Sequence, residues 1–525
     1  MKWPACISGS LLLSLLFAGA VFGPVAALLA AAVGDASLVN DASLLLLPSG
    51  RRLPLFCQTL LLSGVVACMG TFIGFLAASR LWEMRTGPGS RARWLLLIAA
   101  PVPAYLYAQA WMGVSGVFGR VPLWLPADII LSAWVQVGAF LPLCVGLSLL
   151  GMAAVPPSAL EAARLVYPDM TVFDRIVLPL AAPALGAVAA LVFVLSLTDY
   201  SVPSLFSLNV YSLEIFAEFS ATNDPARALF LAAPLLGITL LVLILIRGLI
   251  RDLLGGTGFC QQAPLPPVYP RWFVCLQAFA CAIVLLHLAV LVFSLILAAG
   301  SPATAAGAIT DAGADIGATF STAIIAALCA LPLAYGVASR MDGGREGGWL
   351  WILCLAPLAI PAPLIGIGLI ALWNTSPLSF LYGTAAMPVL ASVARFAPFA
   401  ALVLHAQLRH TDPLLIDAVR VFQKSPLAGW LRVRIPLIAP GLIAAGGVVF
   451  ALSAGELGAT LLVIPPGMET VTIRLYNYLH YGSSAAVSGL GLVMMGMMAA
   501  AGAVMAAGIR KLGCRDTDSG GGGPE

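Results

Sequence analysis

Three charged residues stand where a chain built of long apolar runs can least afford them. Asp199, in Leu197-Thr198-Asp199-Tyr200, and Glu456, in Ala454-Gly455-Glu456-Leu457, sit toward the far end of two such runs, and Arg395 lies inside a third. A charge at membrane depth costs about 3 kcal/mol or more unless it is paired or wetted, so all three are candidates for a polar pathway across a membrane. Two readings of the acids stand side by side: groups lining that pathway, or caps on helix ends at the outer interface. Arg395, followed by Phe396-Ala397-Pro398, could pair with Glu456, attract an anionic solute or snorkel, and pairing is the favoured reading.

The residues exclude other chemistry. His287, His405, His410 and His480 lack the spacing of a metal site, and the ten cysteines include no Cys-x-x-Cys pair. No nucleophile is accompanied by a base. The lysines are Lys2, Lys424 and Lys511, none preceded by the glycine of a phosphate-binding loop, so the chain is not itself a P-loop ATPase. No bound cofactor or metal is expected, and any work must be driven by a partner protein or an ion gradient.

The elements that hold these residues follow from composition. Of 525 residues, 61% are apolar and 9% charged, whereas soluble chains carry about a quarter charged residues. Apolar runs near the roughly 20 residues that cross a bilayer fall at 7–33, 56–80, 93–114, 126–151, 180–205, 228–250, 272–299, 318–339, 349–373, 384–407, 437–464 and 484–510. Lipid offers no partner to an unpaired backbone amide, and the alternation of a barrel strand is missing, so these runs predict an all-α transmembrane fold of about twelve helices. The first run is longer than a signal-peptide core and reads as a retained helix. With both termini cytoplasmic, twenty of the 26 basic residues fall inside, as the positive-inside rule requires. The net charge of +3 is therefore a topological signal and not a nucleic-acid footprint. Tyr476, Tyr478 and Tyr481, with Trp111 and Trp124, read as an aromatic belt at the outer interface.

The chain also repeats itself. At an offset of 260, Thr59–Arg80 aligns with Thr319–Arg340, both ending in Ala-Ser-Arg, and Pro101 and Pro103 fall on Pro361 and Pro363. At an offset of 257, Pro179, Pro183 and Ser196 fall on Pro436, Pro440 and Ser453, and Asp199 falls on Glu456. The repeat divides the chain into a first six-helix half, 1–255, a cytoplasmic linker, 256–271, a second half, 272–512, and a tail, 513–525, read as disordered. An even number of helices per copy makes the repeats parallel, with a pore or cavity between them as the natural place for a substrate.

Each half carries one patterned segment between its fourth and fifth helices. The first reads Glu161-Ala162-Ala163-Arg164 and closes at Pro179; the second reads Asp417-Ala418-Val419-Arg420 and closes at Pro436. An acid followed by small residues reads as the opening turn of a short helix whose backbone another protein can approach closely. Capping on a solvated loop is the plainer alternative, and the symmetric pairing argues against it.

These segments resemble the EAA loop of ABC importer permeases, in which Glu-Ala-Ala is followed by a Gly four residues after the last Ala and by Ile-x-Leu-Pro. The Gly position is Tyr167 in the first copy and Gln423 in the second; the first copy is one residue short, and the second opens with Asp and Val. The resemblance extends over essentially the whole chain to the fused permeases of the ferric iron and thiamine type. It implies a type I importer fold and coupling helices docked on a dimer of a separate ATPase that holds ATP and Mg. It further implies a soluble or lipid-anchored binding protein outside and an inner-membrane location. Among cargoes, ferric iron leads over thiamine, polyamines, phosphonates and oxyanions. The rival expectation is a 12-helix secondary transporter with Asp199 and Glu456 as ion-coupling carboxylates.

Overall fold

The computed structural model describes residues 4–34, 45–84, 88–118, 127–255, 267–300, 302–341, 344–375, 377–409, 411, 414, 429–481 and 484–518. Among these there is no strand. Ten helices are long and apolar enough to cross a membrane, and twelve spans result if each of two bent pairs counts as one. The protein is an all-α, multi-pass membrane protein.

The first half contains α1 (Pro4–Gly34), α2 (Arg52–Glu83), the bent pair α3 (Pro88–Ala99) and α4 (Ala104–Phe118), α5 (Ala127–Ala153), the short α6 (Pro157–Arg164), α7 (Asp169–Thr198), α8 (Tyr211–Thr222) and α9 (Pro225–Gly255). The second half repeats the order with α10 (Arg271–Ala298), α11 (Gly313–Ala338), the bent pair α12 (Gly344–Leu355) and α13 (Ala362–Trp373), α14 (Ala386–Arg409), α15 (Trp430–Ala454), α16 (Val471–Tyr481) and α17 (Ser484–Asp518).

The repeat is visible in individual bonds. Thr59 Oγ1 accepts the backbone N–H of Tyr211 at 2.9 Å, and 260 residues further on Thr319 Oγ1 accepts that of Val471, also at 2.9 Å. Phe75 stacks on Phe173 at 5.8 Å, and at the equivalent place Tyr335 meets Trp430 edge-on at 6.3 Å. In each half the second helix packs on the fourth and fifth spans, α2 on α5 and α7, and α11 on α14 and α15.

The halves are interlocked, because each contributes its first helix to the other. Helix α1 packs on α11 and α13, and α10 packs on α2 and α4. Phe17 and Val21 of α1 are fully buried in a cluster with Ala326, Ala330, Ala397 and Ala400 of the second half. Between helices in lipid the attraction comes mainly from close packing, which small residues permit, and the alanine faces of α11 and α14 supply it.

Several runs differ from the sequence expectation. The runs at 93–114 and 349–373 are not straight spans: they bend by 98° and 102°. The breaks coincide with Pro101 and Pro103 and with Pro361, whose rings deny a helix its hydrogen bonds and crowd the preceding turn. The run at 437–464 starts earlier, at Trp430, and ends at Ala454, so Glu456 lies in the turn beyond a helix. Helix α17 continues to Asp518, through residues that the sequence assigns to a tail.

Candidate functional site

The segment around Glu161 begins as a helix four residues before the acid, at Pro157 in the first helical position, where its missing N–H costs nothing. Glu161 therefore does not sit in the opening turn. Glu161 and Ala162 are exposed, and Ala163 packs against the core of the first half. Arg164 pairs through Nε with Asp169 at 3.0 Å. Leu165, Val166 and Tyr167 then project outward, with Leu165 88% exposed. They leave an apolar tip at the loop end of the bundle.

Beyond the tip, α7 opens with a wide π-turn over Phe173–Val177, and α15 opens with another over Trp430–Arg434. Pro179 and Pro436 follow each turn by two residues; a proline cannot donate to the carbonyl four residues back, and the helix relaxes into the wider turn. Both prolines are exposed. Asp417, Ala418, Val419, Arg420 and Gln423 lie outside the described residues.

Between the halves is a cavity of 1340 Å³. One face of α7 lines it at Ala187, Leu191, Leu195 and Thr198, a spacing of three or four residues that keeps one helix face turned inward. Helices α5, α14 and α15 contribute the other walls. The chamber runs from Asp199, Tyr200, Arg395 and Glu456 at one end to Arg432, Pro436 and Ile509 at the other, the end where α7 and α15 begin.

At the Asp199 end the halves touch. A Cβ on Gly455 would lie 2.6 Å from Pro103 Cγ, and one on Gly458 would lie 2.5 Å from Ala362 Cβ and 3.3 Å from the Tyr200 ring. Only glycine allows the turn after α15 to come so close to the first half.

The three charged residues meet here with different partners. Asp199 follows the last residue of α7; its Oδ1 accepts the Ser201 N–H at 3.0 Å and the Ser201 hydroxyl at 2.6 Å, and its Oδ2 accepts Gln136 Nε2 at 3.0 Å. Ser196 in turn donates to Gln136 Oε1 at 2.5 Å. In the second half Ser453 donates to Ser392 at 2.8 Å, repeating the link between the fourth and fifth spans. Arg395 forms an ion pair with Glu456, whose Oε1 also accepts the Ala459 N–H at 2.7 Å. The guanidinium carbon lies 5.1 Å from the centroid of the Phe396 ring.

Sequence reasoning passed over Gln136, Ser392, Tyr200 and Arg432. A glutamine inside an apolar helix is the signal that could have found Gln136, since a polar group at that depth needs a partner. Trp111, read from the sequence as part of an interfacial belt, donates its indole N–H to His287 Nδ1 at 3.1 Å, and its ring meets Trp134 edge-on at 5.8 Å. His287 is thereby a packing residue between α10 and the first half.

The described residues thus form a multi-pass α-helical bundle with a chamber between its two halves. No protein-family model matches the chain. It is similar to the putative 2-aminoethylphosphonate transport system permease protein of Salmonella paratyphi A, 27% identical over 179 residues, which make up 34% of this chain and 65% of the relative. It is also similar to the Fe(3+)-transport system permease protein FbpB 2 of Haemophilus influenzae, 23% identical over 473 residues, 88% of this chain and 90% of the relative. A probable molybdenum ABC transporter permease protein of Haloferax volcanii is 28% identical over 200 residues, 36% of this chain and 70% of the relative. The chain spans just under two thirds of the length of the first of these. All three are named as permeases of transport systems.

Proposed function

We propose that the chain is the fused permease subunit of an ATP-driven importer of the inner membrane, with both termini cytoplasmic. A small solute handed over by a binding protein passes through the chamber to the cytoplasm. The observation that carries this reading is the 1340 Å³ chamber between two pseudo-symmetric halves, in contact at Gly455 and Pro103 and lined toward Arg432 and Ile509 at the loop end. Such a shape suits an inward-facing state, and rocking of the two halves would alternate it with an outward one.

The exposed α6 around Glu161, its apolar tip at Tyr167 and the segment from Asp417 to Gln423 are the proposed docking surfaces for two copies of a separate ATPase. ATP and Mg belong on that partner. Ferric iron leads among the cargoes by resemblance, while the relatives named for 2-aminoethylphosphonate and molybdenum bring in oxyanions.

The test is cysteine crosslinking in native membranes from Ala163→Cys and Val419→Cys variants on a cysteine-free background. Capture of a P-loop ATPase at both positions, lost when Glu161 and Asp417 are reversed to Lys, is the expected result. Capture of no ATPase, with uptake abolished by a protonophore and indifferent to ATP depletion, overturns it in favour of an ion-driven transporter.

A further inference from the structure

We infer that the deep end of the chamber receives a tetrahedral oxyanion, of the phosphate or phosphonate kind, on the guanidinium of Arg395. This rests on the permease reading above and selects the class of cargo.

Among the described residues, four charged side chains lie on the chamber lining: Asp199, Arg395, Arg432 and Glu456. The two acids are already committed. The Glu456 side chain is 3% exposed and divides its oxygens between Arg395 and the Ala459 N–H. Both oxygens of Asp199 accept bonds, from Ser201 and from Gln136. A metal cation needs free anionic oxygens, and here it would have to strip donors from both carboxylates.

Asp199 and Arg395 both reach the space in part, but Asp199 has both oxygens bonded, whereas the guanidinium keeps donors to offer. The Arg395 side chain is 25% exposed and reaches Glu456 through Nη1, while a guanidinium carries five N–H donors. Phe396 lies beside the guanidinium and limits its orientations. Arg432, at the other end of the chamber, is exposed. A planar fork held in this way matches two oxygens of a phosphonate or phosphate, and the mostly apolar lining of the chamber, Phe396 and Phe399 among it, lowers the local dielectric and strengthens the contact. A polyamine would bring its own cations against both guanidinium groups.

The experiment uses the full chain in lipid nanodiscs, with its ten cysteines replaced and Leu402→Cys placed on the chamber wall. Labelling by a membrane-impermeant thiol reagent is followed with inorganic phosphate, methylphosphonate, ferric citrate or spermidine present. Phosphate or methylphosphonate should slow labelling in a saturable way, and the half-protecting concentration should rise at least about tenfold in Arg395→Gln/Glu456→Gln, a pair that stays neutral so that folding is preserved. Ferric citrate and spermidine should leave the rate unchanged. Protection by spermidine or ferric citrate with none from the oxyanions overturns the cargo class and leaves the permease reading intact. Undiminished oxyanion protection in the double variant overturns the role of Arg395. No labelling of Leu402→Cys under any condition would mean that the chamber is closed to water, and the permease reading itself would fall with the inference.

Discussion

Asp169 holds the backbone N–H of Val268 through Oδ2 at 2.5 Å while its Oδ1 pairs with Arg164 at 3.0 Å. One carboxylate thus ties the end of the α6 helix to the chain that enters the second half. Rings reinforce the tie, with Phe173 5.6 Å from Tyr269 and 5.0 Å from Phe273. Deeper in, Gln277 of α10 donates to Ser79 at 2.9 Å and to Glu83 at 2.7 Å. Asp169→Ala should lower the thermal unfolding midpoint of the detergent-solubilised chain by the equivalent of about 1–2 kcal/mol, and Asp169→Asn, which keeps an acceptor, by less. Fluorescence-detected melting checks it; equal losses in the two variants would show that the charge, and not the bond to Val268, matters.

The two threonine bonds should behave as a pair. Thr59→Ala leaves the Tyr211 N–H buried without its acceptor, and Thr319→Ala does the same to Val471, so each should cost about 1–3 kcal/mol. The serine variants, which keep the oxygen, should lie near the parent. Melting curves of the four single variants decide this, and a large loss in one half with none in the other would contradict the equivalence of the sites.

Removing one member of the deep ion pair should be worse than removing both. Glu456→Ala strands the Arg395 charge and should cost about 3–5 kcal/mol, whereas the joint change of Arg395 and Glu456 to Met should be close to neutral in stability. Transport and stability then separate. The double Met variant should melt near the parent temperature and fail in uptake.

Glycines at the contact of the halves should be far less tolerant than glycines on open helix faces. Gly455→Ala and Gly458→Ala force a Cβ onto Pro103 and onto Ala362, and each should destabilise by about 1–3 kcal/mol. Gly237→Ala and Gly248→Ala, where nothing lies within 4 Å, should be neutral or stabilising by up to about 1 kcal/mol. Parallel melting of the four proteins is sufficient.

The positions of most spans were legible because a bilayer imposes a length and forbids unpaired backbone, and any run that satisfies both announces itself. The repeat was legible for a related reason. Prolines, a serine and an acid in register are costly inside apolar helices, so Pro101 against Pro361 and Ser196 against Ser453 stand out from the Leu and Ala around them. The start of α6 was less so: Glu161 marks the segment, but the helix begins at Pro157, because the proline and not the acid opens the turn.

By itself, then, the sequence determined an all-α membrane protein made of two parallel halves, with Asp199, Arg395 and Glu456 singled out by the expense of a charge at that depth. It could not determine which partners those charges found. Gln136 and Asp199 are separated by 63 residues, and α1 and α10 are exchanged between the halves, relationships that no run length or spacing encodes. Nor could it show the 98° and 102° bends in two of the spans, or that Gly455 and Gly458 let the halves close over one end of a chamber. Those features depend on how apolar faces of equal hydrophobicity fit together, and in lipid that choice is made by shape, which exists only once the helices are packed.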